Sequence, residues 1–396
     1  MTAIWIGSTV SYGARVLVQL TVAWVAYQET SSLAWAGIAL AALALPQLLI
    51  GLVASGVIDR AGARASAAIT SEGAAVTVLV ASVALTWTAT PPLVVVFLLA
   101  ILFGTLDTIR RTATGALAFA ASSPEGRGRA IALVNVGWHI GAVVGGVAAS
   151  PMLAQAGEAS ALVVAGALLL IAAVAFRQGP NPRYVGPRTD WRSALGASAH
   201  LLRHSGRVLG LAGIVVVAEL LGHSSLTLLP GLAASISGSA AATLGLLFAV
   251  RSLGAIIALA AMSQISQRRE WPALLAAPAV FGMGLVGLAL APDVRIAAAA
   301  IAVAGGASAC CDALSQTLLQ RAGGDSPATA MGIWIFGVGS GPIGLFLLGT
   351  LGDRIGAGPA QLVAGITLVA LALIFRATPF VTQEGLMPRR RFDLDR

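Results

Sequence analysis

Long apolar runs, separated by short charged or turn-rich segments, make up nearly the whole chain. A helix needs roughly 20 apolar residues to cross a hydrocarbon layer about 30 Å thick. By this criterion the first half predicts six spans, near 4–27, 32–57, 65–88, 92–119, 130–154 and 159–177. The second half predicts six more, near 208–233, 239–262, 272–291, 294–320, 328–350 and 359–378.

The same pattern indicates helices rather than strands. Irregular backbone is not tolerated facing lipid, and strands of a membrane barrel would alternate in polarity, whereas these runs are continuous and rich in Gly and Ala. The composition agrees, because 57% of residues are hydrophobic, 10% are charged and the mean hydropathy is +0.89. We therefore predict an all-α membrane protein of twelve transmembrane helices. The expected organisation is a six-helix bundle (1–178), a cytoplasmic loop (179–207), and a second bundle with a cytoplasmic tail (208–396).

Basic residues are distributed unevenly across the predicted connections, and all 24 of them are arginine. Only Arg295 and Arg354 fall on one side of the membrane. On the other side are Arg60, Arg64, Arg127, Arg129, Arg177, Arg183, Arg188, Arg192, Arg203, Arg207, Arg268, Arg269, Arg321, Arg376, Arg389, Arg390, Arg391 and Arg396. The positive-inside rule then places the central loop and both termini in the cytoplasm, in a multi-pass protein of the cell membrane. Juxtamembrane arginines beside anionic lipid account for the net charge of +8, so we expect no nucleic-acid partner.

The two halves resemble each other in sequence. The segment "GWHIGAVVGG", from Gly137, aligns with "GVGSGPIGLF", from Gly337, and "VVAGALLLIAAVAFRQGP" aligns further on with "LVAGITLVALALIFRATP". This indicates a duplicated six-helix unit. Parallel repeats of this kind, with a site near mid-membrane between them, are typical of transporters that rock between two conformations.

One loop motif points to a known family. After the second span, "SGVIDRAGAR" resembles motif A of the major facilitator superfamily, G-x-x-x-D-R-x-G-x-R, through Asp59, Arg60, Gly62 and Arg64, with Ser55 at its first glycine. The resemblance covers essentially the whole chain. It implies a latch in which a tight turn at Gly62 lets Asp59 bond to the end of a neighbouring helix and hold the cytoplasmic side closed. The alternative interpretation is an ordinary charged loop.

Two further motifs refine the resemblance. In the fifth span, "GWHIGAVVGG" resembles the antiporter signature through Gly137, Gly141, Gly145 and Gly146, with Ala142 in place of its proline; close helix packing explains the same glycines. Between the last two spans, "GTLGDRIG" matches Gly349, Asp353, Arg354 and Gly356 and is similar to the enterobactin-exporter-like, drug-efflux-like branch. Its predicted position on the outer side of the membrane excludes a second cytoplasmic latch.

Charged residues interrupt the spans that this family uses to line its central cavity, namely spans 1, 4, 7 and 10. In "LDTIRRTATG", Asp107 is spaced to share a helix face with Arg110 and Arg111 and to pair with them, although the arginines can instead snorkel toward the cytoplasm. The other cavity spans carry Arg15, Glu219 and Asp312.

Two of these residues lie at similar depth. Arg15 and Glu219 lie roughly 17 Å into their spans and align as repeat mates of opposite sign, with Arg251 of the eighth span as a third partner. His223 shares the face of Glu219 and is expected to be structural. An acid within the membrane is a functional hypothesis by default, so Glu219 is the expected proton carrier, with Asp107 and Asp312 as competitors.

These features predict a secondary transporter that works by alternating access. The resemblance implies export of an amphipathic small molecule, such as a drug, siderophore or other natural product, in exchange for protons. Importers and lipid translocators share the architecture, and a transport-dead sensor is a further alternative. No phosphate-binding loop or metal-ligand cluster is visible in the sequence, so we expect no ATP-driven pump, no cofactor and no metal. We also expect a monomer. The adjacent Cys310 and Cys311 lack a nearby histidine, which argues against an enzyme.

Overall fold

The computed structural model describes residues 1–87, 93–122, 127–181, 199–262, 264–322 and 327–377. In the first half the helices are α1 (Thr2–Thr30), α2 (Leu33–Ala61), α3 (Ala63–Trp87), α4 (Leu93–Ala120), α5 (Arg127–Pro151) and α6 (Glu158–Gln178). A π-helical turn, Met152–Ala156, extends α5.

The second half has the same number of long helical segments in its described part, two of them interrupted. Helix α7 has four consecutive parts, Gly206–Val217, Ala218–Gly222, His223–Leu228 and Leu229–Ile236. It is followed by α8 (Ala240–Met262), α9 (Gln267–Ala289), α10 (Val294–Ala322), α11 (Pro327–Val338 and Gly341–Ile355) and α12 (Ala357–Ala377). Each predicted span coincides with one of these helices, with ends that agree within five residues.

Eleven helical stretches in the described ranges are long and apolar enough to cross a membrane. Helix α1 is not among them. It is 29 residues long, but polar side chains such as Ser8, Ser11 and Arg15 lower its hydropathy. Ser8 and Ser11 are fully buried, so these polar groups face neighbouring helices rather than lipid. The chain is thus a multi-pass helical membrane protein, as the apolar pattern predicts.

Helices contact one another mainly within each half. Helix α1 packs on α5 and α6, and α4 packs on α2 and α3; in the second half α10 packs on α8 and α9, and α9 packs on α12. Most contacts between the halves come from two pairs, α2 with α11 and α5 with α8. The centre of the molecule is therefore framed by helices from both halves.

The glycines of α5 lie at these close contacts. A side chain at Gly141 would collide with the carbonyl oxygen of Thr9, and one at Gly145 would lie 2.5 Å from that of Gly13, both on α1. Gly146 faces α8, where an added Cβ would lie 2.8 Å from the backbone nitrogen of Ala249. Close packing accounts for these glycines, and their role as an antiport signature stays a prediction.

Candidate functional site

A buried ion cluster lies between α1 and α4. Asp107 accepts hydrogen bonds from Arg15 of α1 and from Arg110, one turn further along α4. The side chains of Asp107 and Arg110 are each 1% exposed. Arg110 also donates to the hydroxyl of Ser11. One carboxylate therefore serves two guanidinium groups inside the protein, which reduces the cost of burying them.

This geometry confirms one predicted pair and corrects others. Asp107 and Arg110 share a helix face and pair, as their spacing predicts, and Arg110 does not snorkel toward the surface. The expected partnership of Arg15 with Glu219 is wrong in this structure, because Asp107 engages Arg15. Arg111, which was also expected to pair with Asp107, does not form an ion pair with it in this structure.

Arg111 is directed toward aromatic side chains. Its guanidinium carbon lies 4.9 Å from the ring centre of Trp138 on α5, and one terminal nitrogen lies 3.5 Å from Oε1 of Gln47 on α2. Trp138 in turn stacks on Tyr12 of α1, with ring centres 5.8 Å apart. Four helices of the first half thus contribute to the surroundings of Arg111.

A second cluster lies between α7 and α10. Nδ1 of His223 is 3.6 Å from Oε1 of Glu219, and its Nε2 is 3.3 Å from Oδ2 of Asp312. The side chains of Glu219, His223 and Asp312 are 13%, 18% and 38% exposed. Nε2 is within hydrogen-bonding distance of Asp312, whereas Nδ1 is too far from Glu219 for a hydrogen bond and has no other partner among the described residues. A protonated imidazole at this position would be attracted by both carboxylates.

The backbone of α7 is irregular at this cluster. Glu219 lies in the π-helical turn Ala218–Gly222, and His223 begins the 3₁₀ segment that follows. The hydroxyl of Ser224 donates to the carbonyl of Glu219 at 2.7 Å and to that of Gly341 on α11 at 2.9 Å. Gly341 follows the interruption of α11. Breaks in two neighbouring helices therefore meet beside Glu219, an arrangement that recurs at functional hinges.

The structure changes the interpretation of His223. The sequence assigned it a structural role, but it connects Glu219 with Asp312. The spacing of Glu219 and His223 along α7 indicates their proximity, whereas the contribution of Asp312 depends on how α10 packs against α7. Arg251 on α8 interacts electrostatically with both carboxylates, and one of its terminal nitrogens lies 3.4 Å from the hydroxyl of Ser308.

The same three side chains include ligand types that zinc accepts, and they offer ligand atoms within 4.8 Å of one another. Sequence reasoning did not find this set, because its third member, Asp312, lies on α10. The guanidinium of Arg251 interacts with both carboxylates and opposes a divalent cation at this position. A single proton fits the charge of the cluster better.

Asp353, of the "GTLGDRIG" motif, connects the two halves at one membrane face. At the end of α11, its carboxylate accepts hydrogen bonds from the backbone N–H groups of Leu33 at 2.5 Å and Ala34 at 3.1 Å, and from the hydroxyl of Ser32 at 2.5 Å. These groups form the first turn of α2, whose N–H groups have no partner within the helix. The motif therefore closes a contact between halves.

The motif A turn has the backbone expected of it. Helix α2 ends at Ala61, Gly62 has φ +82°, and α3 begins at Ala63. Arg64 makes long contacts of 3.4 Å and 3.5 Å with the carbonyl oxygens of Arg177 and Gly179, at the end of α6. The side chains of Asp59 and Arg60 lie outside the described residues, so the latch stays a prediction.

Two helix pairs joining two halves, with buried charges on the helices between them, define a multi-pass membrane transporter. Residues 4–344 match the family model described as Major Facilitator Superfamily, and the chain belongs to this family. The family resemblance drawn from motif A is thereby confirmed. No curated protein matches the sequence.

Solved transporter structures share the fold. A POT family transporter in complex with 5-aminolevulinic acid has a TM-score of 0.73 at 10% identity, covering 96% of each chain. The nucleoside transporter NupG has a TM-score of 0.71 at 13% identity, covering 95% of this chain and 98% of its own. The human organic anion transporter MFSD10 has a TM-score of 0.65 at 14% identity, covering 94% and 98%. At these identities the likenesses show that the fold is shared.

Proposed function

We propose that the protein is a monomeric, proton-coupled secondary transporter of the cytoplasmic membrane, working by alternating access. In this proposal twelve helices form two six-helix bundles, both termini are cytoplasmic, and an amphipathic small molecule leaves the cell as protons enter. The similarity of "GTLGDRIG" to the enterobactin-exporter-like branch supports the outward direction. Drugs, siderophores and other natural products are the expected substrate classes.

The observation that carries the coupling is the charge of the cluster on α7 and α10. Glu219 and Asp312 each contribute one negative charge, and Arg251 contributes one positive charge. One negative charge remains in a region that is mostly removed from water. A proton on His223, or shared between the imidazole and Glu219, neutralises it, so the cluster is suited to hold one proton.

The broken helices connect this proton to conformation. A change in the distance between α7 and α10 alters the contact of His223 with Asp312, and a change in α11 alters the bond between Ser224 and Gly341. In the proposed cycle the outward-facing cluster takes up a proton as substrate leaves. The inward-facing cluster releases that proton when Arg251 or a cationic group approaches.

The test uses purified protein in proteoliposomes, with a substrate first identified by a thermal-shift screen of siderophores, antibiotics and lysolipids, since a ligand stabilises the state it binds. Glu219→Gln should keep ligand binding and exchange of labelled substrate, but should lose accumulation driven by a pH gradient. Glu29→Gln, at an exposed position on α1, is the matched control and should transport normally.

Two further variants rank the competing acids. Asp312→Asn should weaken coupling by removing one partner of His223, whereas Asp107→Asn should act mainly on stability. If Glu219→Gln still concentrates substrate while Asp107→Asn does not, the coupling acid is Asp107. Import or lipid translocation by the same fold would reverse the direction or change the substrate. Binding without any flux would identify a sensor.

A further inference from the structure

The ion cluster between α1 and α4, taken together with Arg111, carries more positive than negative charge. Asp107 pairs with both Arg15 and Arg110, and no described ion pair joins Arg111 to an acid. Three guanidinium groups and one carboxylate leave a net formal charge of +2, and Arg111 is the member without a described ion pair. An uncompensated charge inside a membrane protein is costly and marks a ligand or ion path.

Arg111 is the guanidinium with unused hydrogen-bonding capacity. Arginine has five N–H donors. Among the described residues, Arg111 has one recorded hydrogen bond, the 3.5 Å contact with Gln47, and its buried Nε has no partner. Trp138 covers one face of the guanidinium and leaves its donor edge for another group.

The surroundings of Arg111 suit an amphipathic molecule. Tyr12 and Trp138 stack with an angle of 13° between their rings and form a flat apolar surface beside the guanidinium. Helix α1, which carries Tyr12, also contacts α8 of the second half, so this aromatic pair lies near the boundary between the halves. A ligand that packs against this aromatic pair would lie beside the guanidinium of Arg111.

We propose that Arg111, supported by Gln47 and Trp138, is a subsite for an oxyanion group of the transported molecule. This inference rests on the proposed function and assigns the substrate a carboxylate, sulfonate or phosphate. The guanidinium fork matches two oxygens of such a group, and the oxyanion offsets the excess positive charge of the cluster between α1 and α4. The second half carries the excess negative charge around Glu219 and Asp312, so the charge difference orients the bound molecule with its anionic end toward α4.

The subsite predicts how three phenylbutyl compounds with different end groups bind, namely 4-phenylbutyrate, 4-phenylbutyramide and 4-phenylbutylamine. Binding is measured on the purified full chain by calorimetry and thermal shift. The carboxylate should bind about tenfold or more tightly than the amide, because a charge-assisted bond replaces a neutral one. The amine can bind near Glu219 and Asp312 instead, so its affinity should not depend on Arg111. This ranking is measured on the unaltered protein and does not depend on a variant that folds.

Variants then test whether Arg111 causes the preference for the carboxylate over the amide. Arg111→Gln should reduce the ratio of carboxylate to amide affinity to about one, and Arg111→Lys should keep part of it because the charge remains without the fork. Arg295→Gln changes an exposed arginine outside the site and should keep the full ratio. A preference for the carboxylate that is retained in Arg111→Gln, or no such preference in the unaltered protein, would overturn the proposal.

A lipid headgroup offers the same chemistry as a free oxyanion. Lysophosphatidate is therefore compared with monoolein in the same variants. An Arg111-dependent preference for lysophosphatidate alone supports the subsite with a lipid as its source, one for phenylbutyrate supports a soluble substrate, and no such preference in either pair refutes it. An oxyanion preference without flux in proteoliposomes would leave the subsite standing and refute the proposed transport, whereas proton-driven flux without the preference would refute only the subsite.

Discussion

The carboxylate of Asp353 accepts a hydrogen bond from the backbone N–H of Leu33 at 2.5 Å, although the two residues belong to opposite halves of the chain. Asp353 lies at the end of α11, and Leu33 begins α2. A carboxylate beside the N-terminus of a helix also interacts favourably with the helix dipole. The contact therefore holds the halves together at one membrane face, which the distribution of arginines predicts to be the outer face.

The first prediction concerns Asp353→Asn. An amide still caps a helix but lacks the charge, so contact between the halves should weaken and the outer face should open more often. Spin labels at Gln28 and Ser239, in opposite halves near that face, should report a larger population of long distances. The double-electron-resonance distance distribution measures this change.

Asp293→Asn provides the matched control. Asp293 caps α10 with bonds of 2.8 Å and 3.0 Å from the N–H groups of Arg295 and Ile296, all within one half. The Asp293→Asn substitution should lower thermal stability slightly and leave the distances between the halves unchanged. Equal distance distributions for Asp353→Asn and the unaltered protein would show that the bond does not hold the outer face closed.

The sequence placed "GTLGDRIG" between the last two spans but did not predict the partner of its acid. In the structure α11 ends at Ile355, and Gly356 follows with φ +91°. The first turn of α2 offers only backbone N–H groups and Ser32, which are present at many helix starts. Which helix end the carboxylate reaches depends on the antiparallel contact of α2 with α11, and apolar periodicity carries no information about that contact.

The second prediction concerns Asp59, the equivalent acid of motif A. Gly62 and Gly356 have similar positive φ values of 82° and 91°, so the two motifs make similar turns at opposite faces. We expect Asp59→Asn to fold, to transport poorly and to open the cytoplasmic face. Spin labels at Gln178 and Ser266 should then move apart, while labels at Gln28 and Ser239 should not.

A double variant makes this prediction sharper. If the two acids oppose each other, Asp59→Asn combined with Asp353→Asn should bring the ratio of the two conformations back toward that of the unaltered protein. Transport at the normal rate in Asp59→Asn would show that the motif is only a charged loop.

The third prediction compares stability after removal of opposite charges from the cluster of the first half. Asp107→Asn leaves Arg15 and Arg110 without their carboxylate and should cost roughly 3–5 kcal/mol, the usual effect of breaking a buried ion pair. Arg111→Gln removes a charge that has no acid of its own, so it should leave the melting temperature unchanged or raise it. Thermal unfolding in detergent without ligand measures both effects.

Glu72→Gln is the control for loss of a charge. Glu72 pairs with Arg177 at 2.7 Å on the exposed surface, so its loss should change stability by about 1 kcal/mol or less. If Arg111→Gln proves as destabilising as Asp107→Asn, Arg111 has a partner within the protein and no need of a ligand oxyanion.

The two clusters show where reasoning from sequence stops. Helical spacing predicted the pairing of Asp107 with Arg110, and it placed Glu219 and His223 on one face. The alignment of the two halves matched Arg15 with Glu219 by repeat position and opposite sign. In the structure Arg15 instead forms an ion pair with Asp107, on a neighbouring helix of the same half. The contact of His223 with Asp312 joins α7 to α10 and involves a π-helical turn, and neither feature leaves a periodic pattern in the chain.

The last prediction concerns the membrane potential and combines the oxyanion subsite with proton exchange. Export of a monoanion coupled to entry of one proton moves two positive charges inward per cycle. Each charge is worth about 2.3 kcal/mol per 100 mV, so an inside-negative potential of that size contributes about 4.6 kcal/mol to export. In inside-out proteoliposomes, a lumen made positive with valinomycin and external potassium should drive accumulation of the anionic substrate without a pH gradient. Equal potassium on both sides should abolish this accumulation. Symport of a monoanion with one proton is electroneutral, so flux that is insensitive to the potential would favour import and contradict the exchange.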